Sequence, residues 1–233
     1  MKRFLHIILT VAMLLPFGCT KEDDNPPEEN RIVPPDNPEN PDDPDTPEDP
    51  GDDTVVLTNL LLNGGLEEWL SGTEYDMPAN WARHSNYNVR KDTTVVSEGS
   101  HSARMSSLET GSTARIDQRI PVTPGSRIRI RFHYNVAQWK SKGARTYCYF
   151  RTAAAESYNI PVDELKAFYS TEEYYIIRGG GYGLTYLPHD LDVWQVFDET
   201  ITVPPSATYF VFGINSYHGT TLYVDNCLVA QVP

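Results

Sequence analysis

Residues 127–132 read Arg-Ile-Arg-Ile-Arg-Phe, a strict alternation of charged and apolar side chains. Successive side chains of a β-strand point to opposite faces, so this pattern puts Ile128, Ile130 and Phe132 on one face and three arginines on the other. We therefore expect a strand with one buried face.

Further strands are predicted along the chain. Four stretches are rich in aromatic and β-branched residues, namely 144–152, 193–203, 208–215 and 221–229. Turn-forming Gly, Pro, Asn and Ser punctuate the chain at 63–65, 98–100, 123–126 and 204–206. Many short strands with regular turns are typical of an all-β sandwich or jelly roll.

One insertion, residues 153–192, interrupts the strands. Within it, residues 161–168 predict a short helix with Pro161 in its first turn, and a glycine run follows at 179–181. The insertion is dense in aromatic side chains. This density indicates either a rim over a binding cleft or a small satellite core.

The first 53 residues predict an export signal and a stalk. Lys2 and Arg3 precede an apolar run that is too short to span a bilayer as a helix, and Cys19 closes it. Residues 20–53 hold 14 acidic residues and nine prolines, and such a segment cannot bury enough surface to offset its ordering entropy. We expect a signal peptide over 1–19, a disordered stalk over 20–53 and one folded domain over 54–233.

This N-terminus resembles a bacterial lipoprotein signal, in which Cys19 becomes the lipidated mature N-terminus. The acidic run at 21–24 is similar to the tag that sends some Gram-negative lipoproteins to the outer cell surface. The resemblance implies an outer-membrane, cell-surface location, with the lipid anchor as the contact with the membrane. The alternative is an ordinary cleaved signal with a chance cysteine.

The charge of the chain is concentrated in the stalk. The whole sequence has a net charge of −13, whereas residues 54–233 hold 15 Lys and Arg against 18 Asp and Glu, a net charge of −3. The domain has no basic surplus to neutralise phosphates, which argues against nucleic acid as a partner.

Four landmarks recur in order over residues 59–230. They are the run 63–68 followed by 78–81, the run 96–102, the run 120–125, and Trp194 with the closing run 223–226. In this arrangement the chain resembles the jelly-roll carbohydrate-binding modules of the cellulose- and xylan-binding type, within the galactose-binding-like superfamily. The resemblance implies an all-β jelly-roll sandwich with one partly helical insertion, and a polysaccharide or oligosaccharide as partner.

Sugar rings present apolar C–H faces and a rim of hydroxyls, so their sites need aromatic rings flanked by planar hydrogen-bonding groups. Alternation, a polar loop and the insertion supply such groups. The predicted ligand-binding residues are Arg129, Arg131, Trp139, Tyr147, Tyr149, Arg151, Tyr182, Asn215 and Tyr217. If their strands are neighbours, they form a concave cleft. The alternative is a solvated sheet with cross-strand pairing only. Both neutral and acidic glycans stay open, because guanidinium groups pair with carboxylate or sulfate.

The resemblance also implies a structural calcium ion, with Glu67, Asp92 and Asp225 as ligands that clamp the chain ends. The alternative is that these acids are solvated. Cys148 and Cys227 could form a disulfide in an oxidising envelope, or could stay as two buried thiols.

We therefore expect a non-catalytic, surface-anchored lipoprotein that captures glycan, for uptake or for neighbouring surface glycan-uptake proteins. One alternative is an adhesive or scaffolding β-sandwich that recognises protein through the insertion. A second is a polysaccharide hydrolase or lyase, because acid pairs occur at 67–68, 172–173 and 190–192. None of these pairs lies in a pattern typical of a β-sandwich glycosidase, and the histidines show no metal-ligand spacing.

Overall fold

Alternating strands build most of the domain. The structure, a computed structural model, describes residues 56–70, 77–84, 89–107, 113–140, 143–178, 186–188 and 190–233. Its strands are β1 (Trp69–Leu70), β2 (Met77–Pro78), β3 (Ala82–His84), β4 (Val89–Asp92), β5 (Ser102–Ser106), β6 (Thr113–Pro121), β7 (Arg127–Gln138), β8 (Ala144–Thr146), β9 (Tyr149–Arg151), β10 (Trp194–Thr202), β11 (Tyr209–Tyr217) and β12 (Thr221–Val232). The helices are α1 (Val162–Phe168) and α2 (Thr171–Arg178), preceded by a 3₁₀ turn at Glu156–Tyr158.

The strands pair into two five-stranded antiparallel sheets. Sheet 1 has the order β3-β6-β11-β8, and β9 also pairs with β11. Sheet 2 has the order β10-β7-β12-β5-β4. The strands β1 and β2 form a separate two-stranded pair. This architecture confirms the predicted jelly-roll β-sandwich with a helical insertion. The predicted signal peptide and stalk lie outside the described residues.

Aromatic side chains join the two sheets. Phe212 of sheet 1 lies 5.8 Å from Phe132 of sheet 2 and 6.0 Å from Trp81, measured between ring centroids. All three side chains are fully buried. The alternation that predicted Ile128, Ile130 and Phe132 as a buried face is confirmed.

The N-terminal segment is fastened to the last strand. The Leu60 amide donates to the Val229 carbonyl (2.7 Å), and the Cys227 amide donates to the Gly64 carbonyl (2.8 Å). A Cβ at Gly64 would stand 2.3 Å from the Cys227 carbonyl oxygen, so only glycine permits this approach. The 63–68 landmark is therefore a point of attachment to β12.

The insertion forms two helices and packs against sheet 1. The predicted helix is confirmed as α1, with Pro161 at its N-cap. The second helix was not predicted; it follows a capping box in which the Ser170 amide donates to Glu173 and the Glu173 amide donates to the Ser170 hydroxyl. Leu165, Tyr169, Tyr174 and Ile177 are buried in the same core as the sheets.

Cys148 and Cys227 are both free and buried, which agrees with two thiols rather than a disulfide. Across the described ranges, neither helix has the length and apolar character that crossing a membrane would require.

Truncating Phe212 should destabilise the domain strongly, because the ring fills the junction between the sheets. We expect Phe212→Ala to lower the free energy of unfolding by about 3–5 kcal/mol in chemical denaturation. Phe212→Leu should lower the free energy of unfolding by a clearly smaller amount, since leucine keeps most of the apolar volume. Equal losses in the two variants would contradict a packing role for the ring.

Candidate functional site

The face of sheet 1 that points away from sheet 2 carries polar side chains in register. On this face Asn215 of β11 stands directly opposite Arg115 of β6 on one side and Arg145 of β8 on the other. In the next row Gly213 stands opposite Asp117, with the Tyr147 amide donating to the Gly213 carbonyl (2.7 Å). A Cβ at Gly213 would meet the Tyr147 carbonyl oxygen at 2.6 Å, so the glycine lets the two strands approach.

Three guanidinium groups surround one tyrosine ring. The Cζ atoms of Arg178, Arg115 and Arg145 lie 4.2, 4.7 and 5.1 Å from the centroid of Tyr147. Such distances are within the range of cation–π attraction. Tyr147 is therefore a support for arginine side chains from two strands and one helix.

Tyr149 and Arg151 continue the face toward the insertion. The Tyr149 hydroxyl accepts hydrogen bonds from Nη2 of Arg115 (3.3 Å) and Nη2 of Arg151 (3.1 Å). Arg151 also donates to Asn159 and to the Ala154 carbonyl, and only 5% of its side chain is exposed. Arg151 thus ties the start of the insertion to the sheet and positions Tyr149.

Tyr217 closes the opposite end of the face. Its hydroxyl accepts from Nε of Arg145 (3.0 Å) and from Nδ2 of Asn215 (2.7 Å). Asn215 is 4% exposed, and its Oδ1 has no hydrogen-bond partner among the described residues. The network fixes the Arg145 guanidinium in orientation.

Arg115 is held by a neighbour on its own strand. Its Nε donates to Oδ2 of Asp117 at 2.7 Å. Burial alone would lower the pKa of Arg115, but the charge and hydrogen bond of Asp117 outweigh it and raise that pKa above its ordinary value. Arg115 is therefore a permanent, oriented cation.

The insertion supplies the second wall of a groove over this face, and the groove contains two cavities. The larger, of about 450 Å³, is lined by Arg145, Tyr147, Val162, Lys166, Tyr169, Ser170, Thr171, Tyr174, Tyr175 and Arg178. The smaller, of about 310 Å³, is lined by Arg115, Tyr147, Tyr149, Glu156, Asn159, Ile160, Val162, Leu165 and Arg178. Tyr147, Val162 and Arg178 line both, so the cavities meet there.

Five of the predicted ligand-binding residues share this face: Tyr147, Tyr149, Arg151, Asn215 and Tyr217. Trp139 is 47% exposed and lies beyond the end of β7, where its indole packs against Gly143 next to β8. The Gly143 carbonyl accepts from the Tyr217 amide (3.1 Å), so Trp139 is near the Tyr217 end of the face. Tyr182 lies outside the described residues.

The expectation that Arg129 and Arg131 share this face is wrong. Their strand, β7, pairs with β10 and β12 in sheet 2, whereas the tyrosines belong to sheet 1. On sheet 2, Nε of Arg129 donates to Asp198 (2.7 Å) and Nε of Arg131 lies 3.8 Å from the same carboxylate. These arginines therefore belong to a cross-strand ion pair on the other side of the sandwich.

Four cationic residues of the groove were missed by sequence reasoning: Arg115, Arg145, Lys166 and Arg178. Period-two alternation would have found Arg145, two residues before Tyr147, and Arg115 within the run 113–121. Arg178 ends a helix from a distant part of the chain, and no local pattern indicates that it reaches Tyr147.

The three predicted calcium ligands are held by N–H groups of the protein. Glu67 accepts from the amides of Ser100 (3.0 Å) and His101 (3.3 Å), and Asp225 accepts from the amides of Ser97 (2.9 Å) and Glu98 (3.0 Å). Asp92 instead accepts from the Thr94 and Val95 amides in its own turn.

These contacts do not match a three-carboxylate calcium site. In the part of the chain that the structure describes, no group of three His, Cys, Asp or Glu side chains could hold a metal ion. Burial raises the pKa of Asp225, and the charge of Glu67 adds to that increase, while the hydrogen bonds from Glu98, Ser97 and Asn226 oppose it. Calcium binding stays a prediction from the family resemblance.

Comparisons with known proteins found likenesses of structure only. No protein-family model matches the chain, and no curated protein matches it. Among solved structures, a family 16 carbohydrate-binding module is 15% identical, with 74% of this chain and 99% of that chain covered and a TM-score of 0.48. The CBM22-1 xylan-binding domain from Paenibacillus barcinonensis is 8% identical, with 66% and 86% covered and a TM-score of 0.42.

A third likeness is to a longer protein. The enzymatically active domain of tailspike protein 4 from bacteriophage CBA120 is 18% identical, with 75% of this chain covered and a TM-score of 0.47. This chain spans 21% of that tailspike chain. None of these structures assigns a ligand to this protein.

Removing the sheet 2 ion pair should affect stability only slightly. We expect Arg129→Ala to cost at most about 1 kcal/mol at pH 7, because the pair is partly exposed. A hydrogen bond from Arg129 lowers the pKa of Asp198 below its ordinary 3.8. The stabilisation is therefore present above pH 3.8 and is lost as the pH falls through the lowered pKa.

Urea denaturation at several pH values measures this effect. The difference in the free energy of unfolding between Arg129→Ala and the parent should become smaller as the pH falls below about 4. Arg127→Ala, at the exposed start of the same strand, is the control and should show no such pH dependence. A cost for Arg129→Ala that grows toward low pH would contradict the assignment.

Proposed function

We propose that this protein is a non-catalytic glycan-binding protein that captures polysaccharide or oligosaccharide in the groove between sheet 1 and the helical insertion. The observation that carries the proposal is the groove itself. Two adjoining cavities of about 450 and 310 Å³ are lined by tyrosine and arginine side chains that the sheet register and the helix α2 hold in place. Small-molecule sites commonly occupy about 300–1,000 Å³.

The chemistry of the lining suits sugars. Arg115, Arg145 and Arg178 present planar N–H donors, and the phenols of Tyr147 and Tyr149 add aromatic surface with polar tips. The hydrogen bonds among these groups fix their geometry before a ligand arrives, which reduces the entropy lost on binding. We expect modest affinity, about −4 to −8 kcal/mol, which corresponds to millimolar to micromolar dissociation constants.

The N-terminal sequence supports a surface anchor as part of the same proposal. Lipidation at Cys19 would fix the chain to the outer membrane, and the acidic, proline-rich residues 20–53 would hold the domain away from it. Such a position would let the domain transfer glycan to neighbouring uptake proteins.

The anchor is tested by replacing the cysteine. We expect the parent to incorporate labelled fatty acid and to sediment with outer membranes, and Cys19→Ala to lose both properties. Ser97→Ala, a substitution inside the domain, is the control for expression and export. Fatty-acid labelling that persists in Cys19→Ala would contradict lipidation at this residue.

A protein-binding role for the insertion has a narrower basis. Tyr158 and Phe168 are exposed on it, whereas Tyr169 and Tyr174 are buried against sheet 1. Among the rings of the insertion that the structure describes, Tyr158 and Phe168 are therefore the exposed ones that a protein partner would meet. Binding to no glycan, together with loss of a protein contact on Phe168→Ala, would favour this alternative.

Affinity electrophoresis against neutral and acidic polysaccharides tests glycan binding directly. We expect retardation of the parent and at least a tenfold loss of affinity when Tyr147 and Tyr149 are both replaced by alanine, because their rings line the cavities and support the arginines. Tyr158→Ala is the matched control, since that tyrosine is 52% exposed and lines neither cavity.

Two results would contradict the proposal. Retardation that survives the double substitution, with the thermal unfolding of both proteins unchanged, would place binding elsewhere. Shortening of the polysaccharide during incubation would show catalysis, and the non-catalytic assignment would then be wrong.

A further inference from the structure

Positive charge gathers where the two cavities meet. Arg115, Arg145 and Arg178, called here the arginine cluster, all contact the ring of Tyr147. Lys166 adds a fourth cation to the larger cavity. Among the described residues that line the two cavities, Glu156 is the single carboxylate, and it lies 3.5 Å from Nη2 of Arg151.

The three guanidinium groups are too close to be independent of each other. Each Cζ lies within 5.1 Å of one ring centroid, so no two of them are more than about 10 Å apart, which is roughly one Debye length at 0.1 M salt. The ring of Tyr147 attracts all three guanidinium groups, and the carboxylate of Asp117 pairs with Arg115. A cleft lined by charges of one sign concentrates ions of the other sign.

Donor groups remain at the junction. Arg115 contacts Asp117 through Nε and Nη2, and Nη2 also donates to the Tyr149 hydroxyl. Within the described ranges its Nη1 has no protein acceptor. Arg178 makes no ion pair with any residue that the structure describes, and its guanidinium lies over the Tyr147 ring. Both groups can therefore donate to an anion that enters from the groove.

We propose that the arginine cluster binds the anionic substituent, carboxylate or sulfate, of an acidic sugar residue, with Arg178 and Arg115 as direct ligands. This inference rests on the proposed glycan-binding function and names the class of glycan. Guanidinium groups pair with carboxylate and sulfate through two parallel hydrogen bonds, which gives such a site geometric selectivity as well as charge. The adjoining cavities then accommodate the uncharged neighbours in the sugar chain.

The ring of Tyr147 has a specific part in this site. The ring lines both cavities and has three cations around it. It holds the guanidinium groups at a common point, and an anion there contacts more than one of them. Tyr147 is thus a positioning residue for the cluster.

The test uses the purified full-length protein on an array of polysaccharides. Each acidic polymer is printed beside its neutral counterpart, obtained by carboxyl reduction or by desulfation. We expect binding to acidic polymers that the matching treatment abolishes, and a clear weakening when NaCl is raised from low to high concentration. Loss on carboxyl reduction identifies a uronate, and loss on desulfation identifies a sulfate ester.

Variants locate the anion. Arg178→Gln should weaken binding of the acidic polymer about tenfold to a hundredfold. The affinity of Arg178→Lys should lie between those of the parent and Arg178→Gln, because lysine keeps the charge but not the planar guanidinium group. Arg129→Gln, on sheet 2, is the matched control and should bind like the parent. Thermal unfolding of every variant shows whether the fold is retained; if Arg178→Gln does not fold, Arg115→Gln takes its place.

Each outcome is decisive. Binding of neutral polymers that is unaffected by Arg178→Gln would overturn the acidic-sugar inference and leave the glycan-binding function standing. Binding of single-stranded oligonucleotides as tightly as acidic polysaccharides would show a general polyanion site and would also overturn it. Binding to no polysaccharide would remove the proposed function itself, and the inference with it.

Discussion

The alternation of β11 is the constraint on which the rest of the structure depends. Phe210, Phe212 and Ile214 point into the core, and Gly213 and Asn215 consequently lie on the outer face of sheet 1. A slip of one residue would exchange the two sets, turning an amide into the core between the sheets and the phenylalanine rings onto the outer face, so the register is strongly specified. With β11 fixed, the ladders to β6 and β8 bring Arg115 and Arg145 to either side of Asn215.

The groove is joined to the fold through guanidinium–tyrosine contacts. Arg151 fastens the beginning of the insertion to Tyr149, and Arg178 brings the end of α2 onto Tyr147. Between these points the Cys148 amide donates to the Ile177 carbonyl (2.7 Å), so the helix and the sheet share a backbone contact. The insertion therefore contributes both to the core and to the wall of the groove. Its aromatic density had left two alternatives, a rim over a cleft or a small satellite core, and the insertion combines features of both.

Local patterns predicted the elements and their faces, but not which strands are neighbours. The alternation in 127–132 correctly put the arginines on the outer face of β7, yet that face belongs to sheet 2 and meets Asp198. Sheet membership depends on pairings between residues far apart in sequence, and a period-two pattern carries no information about them. By contrast, the capping box at Ser170 and Glu173 is a local signal, and it could have predicted α2 from the sequence.

Stability and binding are divided between different parts of the domain. The chain ends are held by Gly64 against Cys227, and the 97–101 turn is held by Asp225 and Glu67 through amide hydrogen bonds. None of these residues lines the groove. The groove instead concentrates cations, which contact the ring of Tyr147 and, at Arg115, the carboxylate of Asp117. The hydrogen bonds at Gly64 and in the 97–101 turn and the Phe132–Phe212 contact lie apart from the arginine cluster, so these stabilising contacts do not depend on the cationic residues of the groove.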